Sequence, residues 1–209
     1  GRIMFPISDL NSQVVGFTGR VFAESADLPA EASAQAGALA KAERDGEAKY
    51  INTPQTVIYD KSRVLYGLDK SKVDIRKSDR VVMVEGNMDV IMSHQAGVKN
   101  VVASSGTALT NQHLKILRRY TQNLDLCFDQ DSAGEAAAKR GIELAFFHGF
   151  NIGVVKIEAK DPADLVKEKP EEWVKNSGIS QPITAFYIEK AFQKHDPNTD
   201  LGKKNITQE

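Results

Sequence analysis

The fold of this chain is decided by the stretch Val81-Val82-Met83-Val84-Glu85-Gly86. Its first four residues are all apolar, which is typical of a short strand buried on both faces of a parallel sheet. The glycine ends the strand, and residues 88–96 can form a helix that stops at Gly97. The stretch therefore predicts the first strand–helix unit of an α/β domain.

The same alternation of strand and helix continues along the chain. Further strands are predicted at residues 101–103, 124–128 and 151–157. Further helices are predicted at residues 110–120, 132–147, 162–176 and 183–194, with Thr110 as an N-cap and a frayed polar tail after Asp196. Strands that alternate with helices imply right-handed crossovers and a parallel sheet covered on both faces.

The region before this alternation has a different composition. Residues 2–7 and 14–22 are apolar segments joined by a polar turn, which predicts a β-hairpin. Residues 23–48 hold ten alanines and no aromatic or β-branched residue, so we expect an exposed helix or a flexible insertion without a catalytic role. Residues 70–80 are charged, and we expect them to form a linker.

Composition and charge are those of a globular chain. The 209 residues are 41% hydrophobic and 26% charged, with a net charge of −1. No apolar stretch approaches the roughly 20 residues of a membrane span, and no signal pattern is present, so we expect a cytoplasmic protein with no membrane partner. The single cysteine, Cys127, excludes an internal disulfide and a cysteine-rich zinc site within this chain. Because the chain begins with Gly1 and not Met, we expect it to be a fragment of a longer protein.

Basic residues are concentrated before the first buried strand. Residues 49–80 contain eight Lys or Arg and four Asp. Such a local excess can hold a phosphate backbone, and the alternative interpretation is a solvated face.

The candidate site consists of acids that follow the predicted strands. Glu85 ends the first strand, Asp129 and Asp131 end the third, and Asp161 lies just past the fourth. Because ligands of an open parallel sheet bind beyond the carboxyl ends of its strands, these acids can converge on one edge. Asp89 lies one helical turn after Glu85. Gathered carboxylates repel one another unless a cation neutralises them, which favours Mg²⁺, an ion that takes oxygen ligands.

Each acid also has a purely structural interpretation. Glu85 can simply end a buried strand, and Asp89 can be a first-turn acid stabilised by the helix dipole. Asp131 can cap the helix that follows it, and Asp161 before Pro162 has the form of an N-cap with proline at the first helical position. Only the shared position at strand ends favours a metal site.

Other reactive side chains form no recognisable site in the sequence. Cys127 falls within a predicted strand, where a buried apolar role is expected. The histidines show no metal-ligand spacing with one another or with the cysteine, and no Gly-x-Ser-x-Gly elbow is present. The histidines are His94, His113, His148 and His195.

Three short motifs lie at residues 84–90, 128–134 and 160–165. They resemble motifs of the bacterial-type DNA primases. Val84-Glu85-Gly86-Asn87-Met88-Asp89-Val90 resembles the glutamate motif of their Toprim domain. Phe128-Asp129-Gln130-Asp131-Ser132-Ala133-Gly134 resembles the Asp-x-Asp motif of the same domain. Lys160-Asp161-Pro162-Ala163-Asp164-Leu165 resembles a later acidic motif that primases carry. Toprim motifs alone are shared with topoisomerases and some nucleases.

The segments before the Toprim-like region point to primases in particular. They are similar to the primase-specific N-terminal subdomain and lie at residues 1–7, 16–21, 49–56 and 65–68. The resemblance implies an α/β fold in which a Toprim-type parallel-sheet domain spans residues 79–160. A small mixed α+β N-terminal subdomain, residues 1–78 with the alanine-rich insertion, precedes it, and a helical C-terminal segment, residues 161–209, follows it.

The family resemblance also implies an activity and its residues. It implies a DNA-directed RNA polymerase, a nucleotidyltransferase that makes short RNA primers on single-stranded DNA for replication. Implied ligands are the DNA template, ribonucleoside triphosphates and Mg²⁺ or Mn²⁺, and the parent protein is implied to contact the replicative helicase through a domain outside this chain. The implied catalytic and metal-binding acids are Glu85, Asp129 and Asp131, with Asp89 and Asp161 as further metal ligands. The implied nucleotide- and nucleic-acid-binding residues are Arg20, Lys49 and Lys61.

Three positions depart from the family pattern. Asn87 replaces an aromatic residue, Gln130 replaces the glycine between the two aspartates, and Ala163 stands where a second aspartate follows the proline. Asp164, one residue later, points about 100° away once the helix has begun. Two alternatives to a primase stay open: a Toprim nuclease or topoisomerase, and a binding module with a degenerate metal site.

Overall fold

The computed structural model describes residues 1–21, 48, 50–127 and 135–207, without the side chains of residues 135–138. The predicted alanine-rich insertion lies outside the described residues, except for Ala48. The chain divides into two compact units, Gly1–Asp60 and Lys61–Glu209.

The first unit contains a three-stranded antiparallel sheet. Its strands are β1 (Arg2–Ser8), β2 (Val14–Val21) and β3 (Tyr50–Asn52), in the order β1-β2-β3. The turn between β1 and β2 is closed by the Asp9 carboxylate, which accepts hydrogen bonds from the backbone N–H groups of Asn11 and Gln13 at 2.8 and 2.9 Å. The predicted hairpin is thus confirmed, because an aspartate supplies the local acceptors that a tight turn needs.

The second unit begins with a helix that the sequence did not reveal. Residues 70–80 were expected to be a linker, but helix α1 spans Leu68–Ser78. Leu68, Ser71 and Ile75 are buried at helical spacing, while most of the other positions carry charged residues. Gly67 precedes the helix at φ 81°, and a Cβ there would lie 2.6 Å from Val90 Cγ1, so only glycine fits this entry.

A five-stranded sheet forms the centre of the second unit. Its strands are β4 (Val81–Val84), β5 (Val101–Ala103), β6 (Asn123–Leu126), β7 (Asn151–Val154) and β8 (Gln181–Pro182), in the order β5-β4-β6-β7-β8. The first four strands are parallel, as predicted, and β8 is an unpredicted antiparallel addition to β7. On the far side of β5, Tyr66 exchanges both backbone hydrogen bonds with Ala103, at 2.9 and 3.1 Å.

Helices surround this sheet and complete the core. They are α2 (Asn87–Gln95), α3 (Asn111–Leu117), α4 (Glu135–Phe147), α5 (Pro162–Glu168), α6 (Pro170–Ser177), α7 (Ile183–Lys194) and α8 (Asp200–Ile206). Val82 and Val84 of β4 and Val101 of β5 share one buried cluster, which also contains Leu165 of α5 and Trp173 of α6. Every residue of β4 is buried, which explains why its sequence is continuously apolar.

Two helical predictions differ from the structure. The single helix expected over residues 162–176 is two helices, because Pro170 begins the second one and cannot donate a hydrogen bond to continue the first. The tail expected to fray after Asp196 forms α8, whose first turn is capped by the Thr199 hydroxyl, an acceptor from the Gly202 N–H at 3.0 Å.

The two compact units divide between Asp60 and Lys61, so α1, which packs against β5, lies in the unit of the parallel sheet. The helices after residue 160 also belong to this unit, since α5 packs against α2 and α7 against β7. The predicted domain limits at residues 78 and 160 stay predictions.

Across the ranges that the structure describes, every helix is too short or too polar to cross a lipid bilayer.

Candidate functional site

Glu85 lies where the strand-end rule places it. It directly follows β4 at the carboxyl edge of the parallel sheet, and its side chain is half-buried. Its backbone carbonyl accepts a hydrogen bond from the Ser105 N–H at 3.2 Å, which ties it to the loop after the neighbouring strand β5. The backbone of Glu85 is therefore held at the edge where ligands of such sheets bind.

The described part of β6 ends beside Glu85. Met83 of β4 pairs with Leu126 of β6, and the Cys127 N–H donates to the Met83 carbonyl at 2.9 Å. The chain thus leaves β6 at the same edge of the sheet. Asp129 and Asp131, the other two predicted core ligands, lie outside the described residues. Within the described part of the chain, no three His, Cys, Asp or Glu side chains are grouped as a metal site.

Asp89 connects two parts of the site through backbone hydrogen bonds. Its Oδ2 atom accepts from the Gly86 N–H at 2.9 Å, and its Oδ1 atom accepts from the Ala163 N–H at 3.1 Å. The residue is 6% exposed. The bond to Gly86 is one half of a capping box, in which the third helical residue caps the N-terminus. The carboxylate therefore braces the Glu85 turn against α5, and its role as a metal ligand stays a prediction.

Asp161 occupies the N-cap of α5. Its Oδ1 atom accepts from the Asp164 N–H at 2.8 Å, and Pro162 follows at the first helical position. This is the structural alternative that the sequence offered for Asp161. Asp164 itself is exposed, and Ala163 contributes its backbone N–H to Asp89.

Lys61, a predicted nucleotide-binding residue, has its backbone anchored on α3. The His113 Nε2 atom lies 2.9 Å from the Lys61 carbonyl oxygen, and the Thr110 hydroxyl donates to the Ser62 carbonyl at 2.6 Å. His113 is fully buried, so this bond is shielded from water. Sequence reasoning missed both partners, because about fifty residues separate each from its acceptor, 52 for His113 and 48 for Thr110.

The structure shows fewer contacts for Arg20 and Lys49, the other two basic residues predicted to bind phosphate. Arg20 lies on β2 in the first unit, and its guanidinium carbon is 5.8 Å from the centroid of the Tyr50 ring. That arrangement is a cation–π contact, which holds the arginine side chain over an aromatic face. Lys49 lies outside the described residues.

One buried acid of the sheet does not belong to the candidate site. Asp125 is buried within β6, between Val82 of β4 and Gly153 of β7, and it forms an ion pair with Arg80. Arg80 was one of the basic residues counted before the first buried strand. Its guanidinium neutralises Asp125, so it does not contribute to a phosphate-binding face.

Two of the four histidines also have structural roles. Besides His113, His94 contacts the Ser71 hydroxyl at 3.2 Å and the Val101 carbonyl at 3.4 Å, and burial lowers the pKa of its imidazole. Cys127 is buried, as expected for an apolar role.

Two family models match this chain. The model described as "DNA primase catalytic core, N-terminal domain" matches residues 1–72, and the model described as "Toprim-like" matches residues 82–166. The second match covers β4 to α5, which includes Glu85, Asp89 and Asp161.

Curated relatives and solved structures carry the same description. The DNA primase of Staphylococcus epidermidis is 37% identical over 203 residues, which are 96% of this chain and 30% of that protein. The RNA polymerase domain of Mycobacterium tuberculosis primase DnaG, in complex with double-stranded DNA, has a TM-score of 0.74 and 33% identity, over 99% of this chain and 62% of that one. The DnaG primase catalytic domain bound to ssDNA has a TM-score of 0.74 and 31% identity, with the same coverage of 99% and 62%.

The chain is shorter than the proteins it resembles. It spans about a third of the length of the curated relatives that it matches, at 30% and 29% for the first two.

Proposed function

This chain belongs to the bacterial-type DNA primases, as part of their Toprim-containing catalytic core, and from that premise we propose that it synthesises short RNA primers on single-stranded DNA. The reaction is a DNA-directed nucleotidyl transfer, in which a ribonucleotide is added to the 3′ end of a growing primer. One observation carries the proposal: Glu85 follows β4 at the sheet edge where β6 leads towards Asp129 and Asp131.

The donor set fits a hard divalent cation. Glu85, Asp129 and Asp131 offer only carboxylate oxygens, the ligands that Mg²⁺ and Mn²⁺ accept. His94 and His113 each place a ring nitrogen against a backbone carbonyl, those of Val101 and Lys61. When bound, such an ion neutralises charge on the triphosphate and on the leaving pyrophosphate.

The residues of the chain prepare the site for this chemistry. The half-buried Glu85 carboxylate stands on a turn whose backbone is held on both sides, by Ser105 and by Asp89. A backbone that is fixed before the ligand arrives reduces the entropy that the carboxylate loses on binding. Asp89 fixes α5 against the same turn, and Asp161 caps the first turn of α5. We propose that both carboxylates complete the acidic edge.

Three basic side chains are proposed to bind phosphate groups. Lys61, Lys49 and Arg20 attract the triphosphate and the template backbone by charge, without reading base sequence. Because the Lys61 backbone is anchored to α3, its side chain extends from a fixed position. Template single-stranded DNA and ribonucleoside triphosphates are the proposed ligands. We further propose that the parent protein acts in the cytoplasm and contacts the replicative helicase through a segment outside this chain.

The proposal is tested by primer synthesis on single-stranded DNA with ribonucleoside triphosphates, with and without Mg²⁺ or Mn²⁺. Metal-dependent synthesis is expected in the wild-type chain, and Glu85→Gln is expected to lose at least about a hundredfold in rate, since it removes a metal-binding charge. Glu143→Gln, in an exposed position of α4, is the matched control and keeps the wild-type rate.

Two results contradict the proposal. Wild-type rates in Glu85→Gln would remove Glu85 from the catalytic site. Metal-dependent cleavage of DNA without nucleotides would instead identify a nuclease.

A further inference from the structure

The loop after β5 holds the turn that carries Glu85. The Ser105 N–H donates to the Glu85 carbonyl at 3.2 Å, and the Ser105 hydroxyl donates to the Asn87 Oδ1 atom. One residue therefore binds both ends of the segment from Glu85 to Asn87. Between them, the Gly86 N–H is bound by Asp89.

The backbone conformation of Ser105 is one that serine rarely adopts, which indicates that neighbouring residues stabilise it. Its φ is 56°, in the left-handed region that a residue with a Cβ avoids. Such a conformation persists where several contacts determine it together. Gly106 follows at φ 76°, and the Thr107 hydroxyl donates to the Ser104 carbonyl at 2.7 Å, which closes the loop on itself.

Asn87 explains why the loop needs a hydroxyl at Ser105. The primase pattern has an aromatic residue at this position, where Asn87 is only 5% exposed. A buried amide oxygen without a partner is costly, so the asparagine needs a nearby donor. Ser105 supplies that donor. The hydrogen bond between Asn87 and Ser105 therefore links the turn after Glu85 to the loop after β5.

From these contacts we infer that Ser105 is a positioning residue for Glu85, acting through the backbone and through Asn87. The inference rests on the proposed function, because the position of Glu85 matters to catalysis only if its carboxylate binds the metal. Residues that orient a metal ligand without touching the ion change metal affinity when they are lost. A residue that only stabilises a loop changes stability and leaves that affinity alone.

Metal affinity and stability are measured together on the same variants. Mg²⁺ and Mn²⁺ binding is followed by titration calorimetry, and stability by urea denaturation. Ser105→Ala and Ser105→Gly both remove the hydroxyl, and glycine also relieves the left-handed backbone, so at least one of the two keeps the fold. Both are expected to bind Mg²⁺ about tenfold more weakly than the wild type.

A double variant tests the pathway through Asn87. Asn87→Ala is expected to weaken Mg²⁺ binding as Ser105→Ala does, and the combination of both is expected to be no weaker than either alone, because they remove the same hydrogen bond. Thr121→Val is the matched control: it removes another buried hydroxyl, whose bond to Asp79 at 2.9 Å lies at the amino end of the strands. It is expected to lower stability and to leave Mg²⁺ affinity unchanged.

The outcomes separate this inference from the proposed function. If the wild type binds Mg²⁺ and Glu85→Gln does not, while both Ser105 variants bind as the wild type does, the positioning role is wrong and the proposed site stands. If the wild type binds neither Mg²⁺ nor Mn²⁺, the proposed metal site fails and the inference falls with it.

Discussion

The Asp89 Oδ1 atom accepts a hydrogen bond from the Ala163 N–H at 3.1 Å, across 74 residues of sequence. Its second oxygen accepts from the Gly86 N–H at 2.9 Å. A single buried carboxylate thus joins the turn after β4 to the first turn of α5, and this joint keeps Glu85 and Asp161 in one arrangement.

Asp89→Asn is expected to loosen this joint. The amide group places an N–H donor opposite one of the two backbone N–H groups, which leaves a buried donor unsatisfied. The free energy of unfolding is expected to fall by about 1–3 kcal/mol in urea denaturation. Asp200→Asn, an exposed first-turn acid of α8, is the control and is expected to change stability by less than about 0.5 kcal/mol. If Asp89→Asn and Asp200→Asn lower the free energy of unfolding equally, Asp89 does not brace the turn.

His113→Leu is expected to release the Lys61 backbone from α3. Leucine fills the buried volume but lacks the nitrogen that bonds the Lys61 carbonyl, so stability is expected to fall by about 1–3 kcal/mol. If Lys61 binds phosphate, the affinity for a fluorescent nucleoside triphosphate falls as well.

Thr110→Ser is the matched control for this prediction. Serine keeps the hydroxyl that donates to Ser62 and caps α3, so both stability and nucleotide affinity are expected to stay close to the wild type. Unchanged nucleotide affinity in His113→Leu would contradict the link between His113 and Lys61.

Gly153→Ala is expected to disrupt the Arg80–Asp125 ion pair. A Cβ at Gly153 would overlap Asp125 Oδ1 and lie 2.7 Å from Ser180 Oγ, so the buried carboxylate has to move. Overpacking of this kind costs about 1–3 kcal/mol, which thermal or urea unfolding can measure.

Gly141→Ala provides the contrast within α4. A Cβ there meets the Leu109 Cβ at 3.3 Å, and alanine favours a helix interior over glycine by about 1 kcal/mol. Stability is therefore expected to change little. If Gly141→Ala lowers the free energy of unfolding as much as Gly153→Ala does, both steric arguments are wrong.

The stability of the chain is expected to fall at acidic pH partly because of His94. Burial lowers the pKa of His94 below its ordinary value of 6.5, and the hydrogen bond to the Val101 carbonyl opposes this only in part. The unfolded chain therefore binds a proton at a higher pH than the folded chain does. The contribution of His94 is fully present above pH 6.5 and is lost as the pH falls through its lower folded pKa.

His94→Gln is the test of this pH dependence. Glutamine cannot titrate, so the slope of unfolding free energy against pH is expected to become shallower just below pH 6.5. Parallel profiles for the wild type and the variant would contradict the prediction.

The parallel sheet could be predicted because its signal is local. β4 is a run of four apolar residues, and the strand-end rule then placed Glu85 correctly. Helix α1 was missed for a local reason too: only Leu68, Ser71 and Ile75 face the core, and one of these three is a serine between lysines.

The contacts that arrange the candidate site could not be read from the sequence. The bond from Ala163 to Asp89 and the bond from His113 to Lys61 join residues 74 and 52 positions apart, and no spacing rule reaches so far. Residue type was equally uninformative among the acids. Asp125 and Asp89 are both aspartates, yet Asp125 pairs with Arg80 and Asp89 accepts from backbone N–H groups, and only the folded chain distinguishes the two.

The two borders of the five-stranded sheet bear on aggregation. At one border, Tyr66 occupies the N–H and C=O of Ala103, and the Ser71 hydroxyl occupies the Val101 carbonyl at 2.7 Å. At the other, β8 has two residues, and its Pro182 has no N–H to offer. Among the described residues, neither border has a long row of backbone donors and acceptors without partners, so we expect this sheet to be a poor template for strand addition by a second molecule.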